Sequence, residues 1–316
     1  MSKVAIIAIG GNSITKAGQR GTIEEQYTNT AETAEHIVDM IEQGYNVVIT
    51  HGNGPQVGNI LRRSELACQQ IQLYPLPLDI CGADSQGGMG YMILQVLSNA
   101  LLKRGIERNV TAIVTQTLVD REDPSFQSPS KPIGTFMDEK DAGIRRDRDG
   151  WDVIEDAGRG WRRVVPSPIP IDIIEKKAIN TVIDSGSIVI AVGGGGIPVI
   201  RKESGEIMGV EAVIDKDRAS SLLGTLISAD LVLISTDVAK VCLNFKKPDQ
   251  KELDTITVSE AKRYSEEGHF LKGSMGPKVE AAIQFLENGG KEVIITSPEN
   301  IGAALAGKSG THIVPD

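Results

Sequence analysis

Aromatic side chains are scarce, at 4% of 316 residues, while glycine is frequent at 34. That balance disfavours an all-β sandwich, whose strands draw on aromatics, and suits an aliphatic parallel sheet with tight turns. Positive charge is also short: 33 Lys and Arg stand against 42 Asp and Glu, a formal net charge of −9. A chain this acidic is a poor general binder of nucleic acid or anionic membrane, so any anionic ligand needs locally concentrated lysines. Only three cysteines occur, Cys68, Cys81 and Cys242, without metal-ligand spacing. An odd number is no disulfide framework, and reduced, buried thiols of a cytoplasmic protein are the expectation. No apolar stretch reaches membrane-spanning length, and the start, MSKVAIIAIGG, is too short an apolar run for a signal segment. A soluble, internal protein is expected. The dinucleotide pattern G-x-G-x-x-G is missing too: Gly193 and Gly195 are followed by Pro198, and Gly52 and Gly54 by Val57. This disfavours a nicotinamide-dependent dehydrogenase.

What is present is an alternation of strand-like and helix-like segments. Val4–Ile9 is a continuous aliphatic run ending in Gly10-Gly11, as expected of a buried parallel strand. Residues 24–43 place Tyr27, Ala31, Ala34, Val38 and Ile41 at helical spacing, closed by Gly44. Strands are predicted at Val47–Thr50, Val110–Thr115, Ile188–Val192, Leu231–Ser235 and Glu292–Thr296. Helices are predicted at 85–104, 170–185, 216–227, from about Gly276, and at 300–306. Residues 120–160 break the pattern with Pro124, Pro129, Pro132 and many charges. Phe126, Phe136, Trp151 and Trp161 around them point to an ordered protruding subdomain, because such rings need packing partners. The order reads as an open α/β sheet with helices on both faces.

In such sheets ligands collect beyond the C-terminal strand ends. Four glycine-rich turns are assigned there: Gly10-Gly11-Asn12, Gly52-Asn53-Gly54, Gly193 to Gly196, and Gly273-Ser274-Met275-Gly276. One such turn is merely tight; four point to a polyanion site. Lys131, in the Pro-bounded loop SPSKPIG, Lys216, between Asp215 and Asp217, and Lys278, after GSMGP, are the candidate cations. Lysine is usually a surface residue, but glycine turns beside these raise the functional reading. Phosphoryl transfer needs charge neutralised and reactants held in line, which lysines and backbone N–H groups supply. No general base stands out among His36, His51, His269 and His312, which fits an acceptor that is already an oxyanion. Residues Gly302 to Ser309 match the P-loop pattern G-x-x-x-x-G-K-[ST]. No helix can follow Lys308 in the few residues left, so the match is read as accidental.

The blocks AIGGN (8–12), HGNGPQVGN (51–59), KPIG (131–134), EDAGRGWRRVVPSP (155–168), GGGGIPV (193–199), GVEAVIDKD (209–217), TDV (236–238) and GHFLKGSMGPKVEAAIQF (268–285) span nearly the whole chain. In these blocks the sequence resembles the amino-acid kinase superfamily, and within it the carbamate kinase family. The resemblance implies one domain, a three-layer αβα sandwich around a mainly parallel sheet with a small protruding subdomain. An N-terminal half (about 1–185, the subdomain at about 120–160) would take carbamate or carbamoyl phosphate. A C-terminal half (about 186–316) would take ATP or ADP with Mg²⁺. It implies that Gly10, Gly11, Asn12, Gly52, Asn53, Gly54, Gly194 and Gly195 bind substrate and the phosphoryl group. Lys131, Lys216 and Lys278 would be catalytic, with Asp217 orienting the lysines. Asp237, Val238, Met275 and Gly276, with Lys216 and Lys278, would lie on the nucleotide side, and the protein would itself supply no metal ligands. A homodimer is implied as well. The chain departs from the commoner family pattern at Ser13, Ile14 and 83–87, on the acceptor side. The rivals are a carbamate-kinase-like paralogue or another amino-acid kinase acting on a different small carboxylate, and a catalytically silent nucleotide sensor. The KPIG segment argues against the larger acceptors, and the presence of all three lysines against the sensor.

Overall fold

A computed structural model of the chain describes residues 3–16, 18–156, 160–271 and 273–316. Of the motifs above, Ala157, Gly158, Arg159 and Lys272, and the side chain of Asn12, lie outside the described residues.

The chain opens with β1 (Val4–Ile9), α1 (Ile23–Glu42), β2 (Asn46–His51), α2 (Gly54–Ile71) and α3 (Leu78–Lys103). Short strands β3 (Val110–Ala112) and β4 (Gln116–Val119) lead into the excursion: β5 (Lys131–Met137), α4 (Glu139–Asp149), β6 (Asp152–Glu155) and β7 (Trp161–Val165). The body resumes with β8 (Pro170–Ile173), α5 (Lys176–Asp184), β9 (Ile188–Ile190), β10 (Ile197–Arg201) and β11 (Ile207–Gly209). Then come α6 (Lys216–Leu226), β12 (Leu231–Ser235), β13 (Cys242–Leu243), β14 (Lys251–Glu252), β15 (Thr255–Thr257) and α7 (Val258–Glu266). Helix α8 (Met275–Glu287), β16 (Glu292–Thr296), α9 (Ile301–Leu305) and β17 (Thr311–Val314) complete the fold.

Eight strands form the main sheet in the order β15-β17-β16-β12-β1-β2-β9-β3. All neighbours are parallel except β16 and β17. Along β1 the pleat sends Ala5, Ile7 and Ile9 to one core and Ile6 and Ala8 to the other. The first core is covered by α1, α3 and α9 through Ile37, Met92, Leu97 and Ile301. The second is covered by α5, α6 and α8 through Ile179, Leu223 and Phe285. Both faces of the sheet are therefore buried, and the three-layer expectation holds. Among the described residues no helix is long and apolar enough to cross a membrane.

The excursion is an ordered unit. β5, β7 and β6 form an antiparallel sheet backed by α4, and Trp151 lies between the guanidinium groups of Arg145 (4.8 Å) and Arg163 (5.0 Å). Lys131 is thus the first residue of a strand rather than part of a Pro-fixed loop, because its backbone pairs with Val165. The unit joins the body where α2 meets β5. Gly58 is buried there, and a Cβ on it would lie 2.7 Å from the Gly134 nitrogen. Two further expectations are corrected. Gly273–Gly276 does not follow a strand; it joins α7 to α8. Of the cysteines only Cys81 is buried, while Cys68 and Cys242 are partly exposed; all three are free thiols.

Candidate active site

β1 has β2 on one side and β12 on the other, so the chain leaves this part of the sheet in opposite directions and opens a crevice at the strand ends. Beyond β1, Gly11–Ser13 make a single 3₁₀ turn. Gly10 is pressed against β12, where a Cβ would stand 2.6 Å from the Ser235 carbonyl oxygen. Beyond β2, Gly52 and Asn53 run directly into α2, which begins at Gly54. A Cβ on Gly52 would meet the Lys216 stem at 3.5 Å and the Gly11 nitrogen at 3.9 Å. The turns after β1 and β2 and the side chain of Lys216 therefore surround one small space.

The cations of that space are organised by the first turn of α6. Asp215 is its N-cap, and Oδ1 accepts from the backbone N–H groups of Asp217 (3.0 Å) and Arg218 (3.4 Å). Its other oxygen accepts from Lys131 Nζ at 2.7 Å. Asp217, 3% exposed, accepts from Lys216 Nζ at 2.5 Å and from Lys278 Nζ, in the first turn of α8, at 3.2 Å. Three lysines from β5, α6 and α8 thus face two carboxylates of one helical turn, leaving an excess positive charge. Thr50 on β2 shares a 2.6 Å hydrogen bond with Ser220, whose hydroxyl donates to the Lys216 carbonyl, so α6 is fixed to the strand end. Burial opposes ionisation of Asp215, but the Lys131 ammonium bonded to it and the nearby Lys216 outweigh burial and hold its carboxyl below the usual range.

Asn53 donates through Nδ2 to Ser85 Oγ at 2.7 Å, and Ser85 donates to the Gly82 carbonyl. Ser85, on α3, belongs to the 83–87 stretch noted above only as a departure from the family pattern; its hydrogen bonds make it a support for Asn53. The Gly193–Gly196 turn backs Asn53. Gly194, Gly195 and Gly196 have φ of 66°, 92° and 89°, and a Cβ on Gly194 would overlap the Asn53 amide. Gly194 and Gly195 are buried, Gly195 against the Ile214 carbonyl. His51 is buried, with Nδ1 hydrogen-bonded to the Gly52 carbonyl. Burial pushes its pKa down to about 4, the Gly52 bond works against this, and Lys216 adds to it, so the ring is neutral near pH 7. Met275 opens α8, and Gly276 is close-packed, a Cβ there falling 3.2 Å from the Leu271 carbonyl oxygen. Asp237, followed by Val238, is exposed and lines a cavity of about 450 Å³ with Ser13, Lys16, His36 and Glu299. Lys308 is far less suited to phosphate: α9 ends before it and β17, a strand, follows. The structure therefore assembles Gly10, Gly11, Gly52, Asn53, Lys131, Lys216, Asp217 and Lys278 around one crevice, and adds Asp215 and Ser85 to them.

The profile of the amino acid kinase family matches residues 3–297. A carbamate kinase of Thermococcus kodakarensis is 54% identical over 99% of this chain and 99% of its own. A carbamate kinase-like protein of Escherichia coli is 48% identical, with the same coverage of both chains. Among solved structures, carbamate kinase from Giardia lamblia bound to AMP-PNP superposes with a TM-score of 0.92 at 45% identity, covering 100% of this chain and 99% of that one. The chain belongs to the amino acid kinase family.

Proposed function

We propose that the chain is a carbamate kinase, transferring a phosphoryl group reversibly between ATP and carbamate. The observation that carries this reading is the meeting of Lys131, Lys216 and Lys278 on Asp215 and Asp217 beside the Gly10–Asn12 and Gly52–Asn53 turns. Full-length similarity to carbamate kinases supports it.

In the direction of ATP synthesis, a terminal oxygen of the ADP β-phosphate attacks the phosphorus of carbamoyl phosphate. The bond from phosphorus to the carbamate oxygen breaks, and carbamate leaves as an anion that takes up a proton from water and decomposes to ammonia and CO₂. Nucleophile and leaving group are both oxyanions, so no side chain has to remove a proton. What the protein supplies is fixed positive charge. Lys216 and Lys278, held by Asp217, neutralise the transferred group and the nucleotide phosphates. The N-termini of α2, α6 and α8 and the backbone N–H groups of the glycine turns add partial positive charge. Lys131 serves the carbamoyl phosphate side, and Asp237 and Val238 the nucleotide side. Two halves of one domain, meeting at about residue 185, divide the two substrates.

Mg²⁺ enters as part of MgADP or MgATP. Asp217 is occupied by two lysines, and among the described residues no group of three His, Cys, Asp or Glu converges on one point. The donor set does not form a protein cage, which suits an ion held by phosphate oxygens and water. We also propose a cytoplasmic homodimer. Three free thiols fit the reducing compartment, and exposed Ile80, Tyr91 and Val114 offer apolar surface for self-association.

The test is formation of ATP from carbamoyl phosphate and MgADP, read through hexokinase and glucose-6-phosphate dehydrogenase, with acetyl phosphate as the control donor. ATP formation from carbamoyl phosphate well above that from acetyl phosphate is expected. Equal or absent rates with both donors would sink the proposal.

A further inference from the structure

Asp217 gathers two lysines that both belong to the body of the protein. Lys131 comes from β5 of the excursion and needs a separate means of registration. Lysine loses much rotamer freedom when it is held, because its stem is flexible, so an unpaired ammonium at the start of β5 would sample many positions. The two oxygens of Asp215 answer this in different ways. Oδ1 is tied to two backbone N–H groups of α6, which makes the carboxylate part of the helix end. Oδ2 receives Lys131 at 2.7 Å. The position of Lys131 is thereby referred to the same helical turn that carries Lys216 and Asp217.

We infer that Asp215 is a positioning residue for phosphoryl transfer: it docks the Lys131 ammonium, and with it the excursion, onto the N-terminus of α6. An ammonium has three donors. One bond to Asp215 leaves two for an arriving phosphoryl oxygen. The Asp215 carboxylate also attracts both Lys131 and the nearby Lys216, which offsets their mutual repulsion before any anion is bound. This inference rests on the proposed role of Lys131 in turning over carbamoyl phosphate.

The decisive variant is Asp215→Asn, because Asn caps a helix about as well as Asp while removing the charge. Expected is a loss on the order of tenfold or more in kcat/KM for carbamoyl phosphate, with KM for ADP changed by less than about twofold. The double variant Lys131→Ala/Asp215→Asn should be no slower than Lys131→Ala alone, since both changes break one link. Losses that multiply, or an Asp215→Asn enzyme as fast as the unmodified one, would overturn the inference. A fully active Lys131→Ala would instead overturn the underlying reading of Lys131. Limited proteolysis of Lys131→Gln tests docking without touching the cap. Cleavage within residues 131–156 should be faster than in the unmodified protein, and equal rates count against docking.

Discussion

The contact between Gly58 and Gly134 offers a way to move the excursion without touching any charged group. In Gly58→Ala the new methyl would lie 2.7 Å from the Gly134 nitrogen and closer still to its Cα. Both atoms are backbone, so no side-chain rotation relieves the clash, and α2 and β5 must separate by roughly 1 Å to reach ordinary contact. Overpacking of this kind costs about 1–3 kcal/mol of stability. Lys131 lies three residues before Gly134 on the same strand, roughly 10 Å along it, and its amine is displaced with the strand. A misplacement near 1 Å in a catalytic group lowers turnover on the order of a hundredfold. Kinetics of ATP formation should therefore show a severe fall in kcat/KM for carbamoyl phosphate with KM for ADP retained, and thermal unfolding should shift down by several degrees. Gly143→Ala, inside α4 of the same unit, is the matched control: a Cβ there meets nothing within 4 Å. It should leave activity unchanged and add up to about 1 kcal/mol of helix stability. If Gly58→Ala keeps its kcat/KM within about twofold, the α2–β5 contact does not set the position of Lys131.

Lys216→Ala and Lys278→Ala should each lower kcat on the order of a hundredfold or more; a rise in nucleotide KM alone would reduce both to binding residues. Lys308→Ala should be silent in the same assay, and a hundredfold loss would revive the P-loop reading. His51 is held neutral with its pKa near 4, below its ordinary value of 6.5, so the unfolded chain binds the proton more tightly. Its contribution to stability is intact above pH 6.5 and falls by roughly 3 kcal/mol as pH drops toward 4. Urea unfolding of His51→Gln should show a correspondingly weaker loss across that interval, and an identical acid limb would contradict it. Calorimetric titration of Mg²⁺ into the nucleotide-free protein should show no micromolar site.

The buried strands were legible because each is a short aliphatic run closed by glycine or a polar residue. The predicted Glu292–Thr296 coincides with β16, and Leu231–Ser235 with β12. α2 is hidden because only Val57, Gly58 and Leu61 are buried along it, too few to make an apolar stripe. α7 is as polar and is not predicted either, although Thr257 and Glu260 form a capping box that marks its start. The excursion is held by Arg145 and Arg163 on Trp151 and by strands dense in charge, a packing that periodicity does not reveal. The three lysines could be singled out from their glycine-rich surroundings. Asp215 carried a signal too, an aspartate directly before a helix, but its bond to Lys131 joins residues 84 apart and is visible only in three dimensions. The same holds for Asn53 and Ser85, 32 apart.

The central place of β1 has a consequence for how the polypeptide is made. Ala5 pairs with Val47 on one side and with Leu231 on the other, so the second edge of the first strand stays open until 226 further residues have been added. At 5–20 residues per second, translation leaves that edge unpaired for roughly 10 to 45 seconds. The exposed sequence, Val-Ala-Ile-Ile-Ala-Ile, has no charge or proline to discourage pairing with another nascent chain. The strand that anchors the active-site crevice in the finished protein is thus, during synthesis, an unprotected aliphatic edge.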